Sequence, residues 1–286
     1  MRRHACSILL LTLLMSACTV TDPAERNARE PTPPPRSPRS DTQAEFARLP
    51  IEEYMPTSDD NFHLAKARNV AIEGCMKERG VKDFHLPDPV RPPTLTERRY
   101  GLSDPDEAAR FGYEYPESAT STEPAEIRLG EVERQALGSD EDPKGCMGIG
   151  TAKITGSALR ATASSPTAVK IQRDTWFKSA EDPRVRAKTK DWENCMKAKG
   201  FTLRTPLETP KEGTSKTEER RMATSSIECS SSVKLSDVWF EVESELQYVA
   251  ISKNSAKLEE EKAELQRQLA KADSVVKSTG RSSGEG

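Results

Sequence analysis

Histidine, aromatic residues and long apolar runs are all scarce in this chain, and each scarcity narrows what it can do. Aromatics are 5% and hydrophobic residues 34% of 286 positions, low for one large compact core. Modest cores separated by disordered segments are the expectation. Of three histidines, His63 and His85 lie beyond the N-terminal segment, and neither has the neighbours of a metalloprotease helix. No Gly-x-Ser-x-Gly elbow is present, so the common hydrolase signatures are missing. The formal charge of −3 comes from nearly balanced Lys/Arg and Asp/Glu. Without a clustered basic excess, a nucleic-acid groove is not expected. After residue 18 no apolar stretch approaches the ~20 residues of a spanning helix.

What is present begins at the N-terminus. Arg2 and Arg3 precede a run from Ser7 to Met15 that is apolar apart from Ser7 and Thr12, and small Ser16 and Ala17 come before Cys18. This is the three-part layout of a secretory signal peptide, expected over 1–17. Leu14-Met15-Ser16-Ala17-Cys18 resembles the lipobox of bacterial lipoproteins, with Met15 where Leu, Val or Ile is usual. The resemblance implies a diacylglyceryl group on Cys18 and cleavage before it. Two acyl chains hold a protein on a membrane where one does so only marginally. The expected location is the extracytoplasmic face of the cell membrane. Residues 18–57, with Pro31, Pro33, Pro34, Pro35 and Pro38 among charged and small polar residues, read as a disordered tether averaging roughly 35 Å as a coil.

Cys6 leaves with the signal segment and Cys18 is taken by lipid, so Cys75, Cys146, Cys195 and Cys229 remain. An even number of thiols in an oxidising compartment points to two disulfides. A Cys₄ zinc site normally uses closely spaced pairs, whereas the smallest separation here is 34 positions. Of three connectivities, Cys75–Cys146 with Cys195–Cys229 is the expectation, because each bridge then staples one local unit. Each contributes about 4 kcal/mol at most on loop-closure entropy.

An internal duplication stands out around two of these cysteines. Cys75-Met76-Lys77-Glu78-Arg79-Gly80 matches Cys195-Met196-Lys197-Ala198-Lys199-Gly200 at a spacing of 120 residues, with Ile72 and Trp192 three positions before each cysteine. Apolar positions at three-to-four spacing predict helices whose cysteine faces a core and whose glycine ends the last turn. Asp182-Pro183 offers a cap and a first-turn proline for the second. Between the copies, Ser103-Asp104-Pro105-Asp106 predicts a short helix ending at Gly112, flanked by Arg98, Arg99 and Tyr100 and by Tyr113 and Tyr115. Those tyrosines and arginines read as packing on a thin core, with ligand stacking as the sharper alternative. Gly145-Cys146-Met147-Gly148-Ile149-Gly150 lacks the Lys-Ser/Thr ending of a phosphate loop.

A helix is expected up to Cys229, then a long one from about Ser232 to Ser278. Leu235, Trp239, Val242 and Leu246 should pack its first half on the domain. Leu258, Leu265, Leu269, Ala272 and Val276 with Glu/Lys pairs make its second half a charged extension or a short coiled coil. The organisation is thus signal 1–17, tether 18–57, helical units 58–164 and 165–254, and a charged helix with disordered tail over 255–286. The class is all-α.

Several blocks occur in one order: the lipobox, the two Cys-Met-x-x-x-Gly segments, Arg98-Arg99-Tyr100-Gly101-Leu102, Asp182-Pro183-Arg184-Val185 and Trp239-Phe240-x-Val242-Glu243. Together they resemble a group of predicted surface lipoproteins from high-GC Gram-positive bacteria. That resemblance implies a lipid-anchored helical body and carries over no catalytic residues, cofactor or metal. The leading expectation is a non-catalytic binding module contacting a protein or wall component. The rivals are an envelope hydrolase with a carboxylate site formed only in three dimensions, and an assembly element self-associating through the C-terminal helix.

Overall fold

Capping chemistry sets the helix ends. A computed structural model describes residues 48–115, 129–139, 142–158 and 165–282, and no strand occurs among them. A 3-10 turn at Pro50–Tyr54 precedes α1 (Ser58–Glu78). Short helices α2 (Pro105–Phe111) and α3 (Glu131–Leu137) follow, then α4 (Cys146–Thr155). The chain continues through α5 (Pro166–Glu181), α6 (Pro183–Ala198) and α7 (Lys216–Val233) to α8 (Leu235–Ser282). Thr57 and Asp60 form a reciprocal capping box on α1. Asp104, Asp182 and Ser215 accept first-turn N–H groups of α2, α6 and α7.

The duplicated segments close their helices identically. Val81 N–H donates to Met76 O at 3.0 Å and Gly80 N–H to Lys77 O at 3.0 Å. Phe201 N–H donates to Met196 O at 2.9 Å and Gly200 N–H to Lys197 O at 3.0 Å. Both glycines have φ of +89°. These are Schellman caps with the apolar residue after glycine packed back on the methionine, as Phe201 is on Met196 and Val81 on Met76.

Helix α8 is the spine, 48 residues and so about 72 Å long. Its first part buries Leu235, Trp239 and Val242 against Val185, Trp192 and Met196 of α6 and Cys229 of α7. Midway, Leu258 meets Leu49, which precedes the 3-10 turn, Ile51 and Tyr54 within it, and Ala168 and Ile171 of α5. Further on, Leu265 and Ala272 close over Leu64 and Ala67 of α1 and Ile154 of α4. No helix among the described residues is long and apolar enough to cross a membrane.

Three boundaries differ from the sequence expectation. Leu49, Ile51 and Tyr54 are buried, so the segment expected as tether to residue 57 is already part of the body by Leu49. The charged extension beyond residue 254 is helical as expected, to Ser282, but its heptad-like Leu258, Leu265 and Ala272 are buried within the chain. A coiled-coil seam would need that stripe at the surface. Because helices of both expected units pack on α8, residues 58–254 do not separate into independent cores.

Candidate functional site

Glu243 sits on the apolar stripe of α8, between Trp239 and Gln247 at helical spacing, and has no exposed surface. A buried carboxylate is tolerated only when paired and hydrogen-bonded, and this one is. Arg99 reaches it with Nε at 2.9 Å and Nη2 at 2.5 Å. The Tyr100 hydroxyl donates to it at 2.8 Å and Gln247 Nε2 at 3.1 Å, with Thr175 Oγ1 at 3.5 Å. Gln247 turns its other end to accept from Ile51 N–H at 3.0 Å, and Arg99 also donates to Gln172 O at 3.1 Å. Burial, with the Glu243 charge adding to it, pushes the Tyr100 hydroxyl far above the ordinary tyrosine range. Tyr100 therefore stays a neutral donor. The single Thr175 proton goes to Ile171 O at 2.8 Å, so four donors, two from Arg99 and one each from Tyr100 and Gln247, fill the roughly four lone-pair directions of the carboxylate, and the group is committed to holding α5, α8, the 3-10 turn and the 98–100 segment together.

A second buried carboxylate does a related task. Glu261 of α8 accepts from Thr167 N–H at 3.0 Å and from its hydroxyl at 2.6 Å. Ser165 makes no side-chain cap on α5, so Glu261 supplies both the acceptor and the negative charge that a helix N-terminus favours.

The remaining sequence candidates distribute as follows. Cys75 and Cys146 join α1 to α4 with Cα atoms 5.6 Å apart, and Cys195 and Cys229 join α6 to α7 at 5.7 Å. Cys18 lies outside the described residues. Arg98 sits over the Tyr115 ring at 4.1 Å and donates to Tyr113 O at 2.9 Å and Glu114 O at 3.0 Å. The arginine–tyrosine patch thus clamps its own loop. Gly148 and Gly150 lie inside α4, where a β-carbon would run into the Asp142–Pro143 backbone and the Ile72 side chain respectively. Glycine at 150 lets α4 lie close on α1 and glycine at 148 leaves room for the Asp142–Pro143 turn, packing roles rather than a phosphate cradle.

The described residues hold no cluster of three or more metal-binding side chains. A half-open cleft of about 370 Å³ lies between residues 48–61 and 93–96. Polar groups on its wall are already bonded to their own backbone or neighbours: Thr57 to Asp60, Ser58 to Pro92 O and Asn61 to Thr57 O. Nothing there converges on one point where a reacting atom could sit.

Sequence reading missed the Arg99–Glu243 pair, although both lie in blocks it singled out. The usable signal was a lone glutamate on the Trp239–Val242–Leu246 face, which needs a cation from elsewhere in the chain. Comparison with protein families, curated proteins and solved structures finds no match for the chain.

Proposed function

We propose that this protein is a lipid-anchored, extracytoplasmic interaction module with no catalytic chemistry of its own. The observation that carries the reading is the pair of disulfides, Cys75–Cys146 and Cys195–Cys229, which belong to an oxidising compartment. The lipobox ending at Cys18 supplies a route to that compartment and a means of staying at its membrane. The commitment of the Glu243 and Glu261 carboxylates to internal hydrogen bonds supports a binding role over an acid–base one. The module holds a rigid helical surface near the membrane for a protein or wall partner.

Fractionation of a Gram-positive host expressing wild type and Cys18→Ala tests the anchor. Wild type is expected in the membrane fraction and the variant in the medium, both without titratable thiols. Cytosolic protein with Cys75, Cys146, Cys195 and Cys229 all reactive would overturn the reading. Turnover of wall polymer by the purified protein would overturn the non-catalytic part.

A further inference from the structure

The two Cys-Met-x-x-x-Gly copies close their helices alike but cover their disulfides differently. At the first bridge, Cys75 is 3% exposed and Cys146 0%. Ile72, Met76, Phe84 and Leu137 pack about them, so α3 roofs the bond through Leu137. Arg79, one turn after Cys75, donates to Ala136 O at 2.9 Å and to Lys144 O, tying that roof down. In the second copy no helix takes the place of α3 between Gly200 and α7. Cys229 is fully buried, but Cys195 lies at the edge of its core and is only partly buried. A disulfide exchanges only where a thiolate can reach one of its sulfurs. Cys195 offers that approach and the first bridge does not.

Much of the α6–α7 contact does not depend on the bond. Trp192 Nε1 donates to Ser226 O at 3.1 Å, and Lys199 pairs with Glu228 at 2.7 Å. Val185, Met196, Leu235 and Trp239 share one buried core. Helix α7 in turn carries Ala223 and Ile227, which pack with Leu102 and Ala108. Its Glu219 accepts from Tyr113 N–H at 3.1 Å. The bond therefore cross-links α6 to a unit made of α7 and α2.

We propose that Cys195–Cys229 is a redox-responsive bond that a dithiol opens through Cys195 while Cys75–Cys146 stays closed, loosening α7 and α2 within a folded body. A thiolate of the dithiol attacks Cys195 Sγ. The S–S bond breaks, and Cys229 leaves as a thiolate that takes a proton from water. The second thiol of the dithiol then loses its proton and displaces Cys195 from the mixed disulfide, and Cys195 is protonated in turn. The dithiol is oxidised to its disulfide and the chain gains two thiols, a balanced two-electron exchange. This device goes beyond the interaction-module reading and requires the disulfides of the fold, not lipid on Cys18.

The test treats the purified full-length chain with dithiothreitol, quenches timed samples with an alkylating reagent and maps the label by peptide mass. Cys195 and Cys229 should be labelled together, on the order of tenfold sooner than Cys75 and Cys146. Hydrogen exchange of the partly reduced chain should quicken over 105–111 and 216–233 and stay unchanged over 58–78 and 146–155. Helical circular dichroism should be retained. A C195S/C229S variant should show the same exchange pattern without reductant, and the wild-type time course decides the proposal alone if that variant does not fold. Labelling of all four cysteines at one rate, or of Cys75 and Cys146 first, would overturn the proposal. So would unchanged exchange in α7, or loss of the helical signal in the partly reduced wild type.

Discussion

The Tyr100 hydroxyl donates to Glu243 Oε2 at 2.8 Å across 143 residues of sequence. Beside it, Arg99 makes two hydrogen bonds to the same carboxylate. This buried cluster costs desolvation, and its worth lies in what happens when one member is removed. Tyr100→Phe takes away one donor of four and should destabilise by about 1–3 kcal/mol. Arg99→Ala leaves an uncompensated buried charge and should cost about 3–5 kcal/mol. The double replacement R99M/E243M should cost less than Arg99→Ala alone. Urea unfolding of the three variants gives the ordering.

Burial pushes the Tyr113 hydroxyl up to about 12 from an ordinary 10.0, and Tyr100 is raised further. Both stay neutral in the folded chain while their unfolded counterparts ionise above 10. The unfolded state therefore holds fewer protons in that range, and stability should be intact below pH 10 and fall as pH rises towards 12. An ultraviolet titration should show these two hydroxyls ionising late, together with loss of helical circular dichroism.

Gly150 and Ile72 touch where α4 lies on α1. Gly150→Ala overpacks that contact and should cost about 1–3 kcal/mol. In an Ile72→Ala background the severest contact of the added methyl is gone and only the α1 backbone remains near it, so the two substitutions should be non-additive in a double-mutant cycle.

Leu265 lies in the stretch of α8 that reads as a charged extension, yet it is buried against α1 and α4. Leu265→Ala should destabilise by about 2–5 kcal/mol, and Lys253→Ala, at an exposed position of the same helix, by no more than about 0.5 kcal/mol. Thermal unfolding of both variants separates a structural second half from a dispensable tail.

What was legible in the sequence was what depends on neighbours in the chain. The caps at Asp104 and Asp182 and the two glycine stops at Gly80 and Gly200 are read from a few adjacent residues. The all-helical class follows from the same local periodicity. Long-range partners were not legible. Arg99 and Glu243 are 144 residues apart, and no local pattern announces that one neutralises the other. Leu49, Ile51 and Tyr54 follow a proline-rich stretch whose composition hid them. On α8 the dense Glu/Lys pairs concealed which leucines face inward, since a solvated helix and a half-buried one share that pattern. Gly148 and Gly150 look like a degenerate ligand loop until the nearness of the Asp142–Pro143 turn to one and of α1 to the other gives them a packing purpose. Of the site residues, Cys18 was marked by the lipobox alone.

The proposed function requires a disulfide-stapled helical body held outside the cell by lipid on Cys18. Intact mass spectrometry of the membrane-extracted protein under non-reducing, thiol-alkylating conditions tests it most directly. The account predicts a chain beginning at Cys18, carrying a diacylglyceryl mass increment and no alkylated cysteine. A chain retaining residues 1–17, with Cys75, Cys146, Cys195 and Cys229 all alkylated, would contradict it.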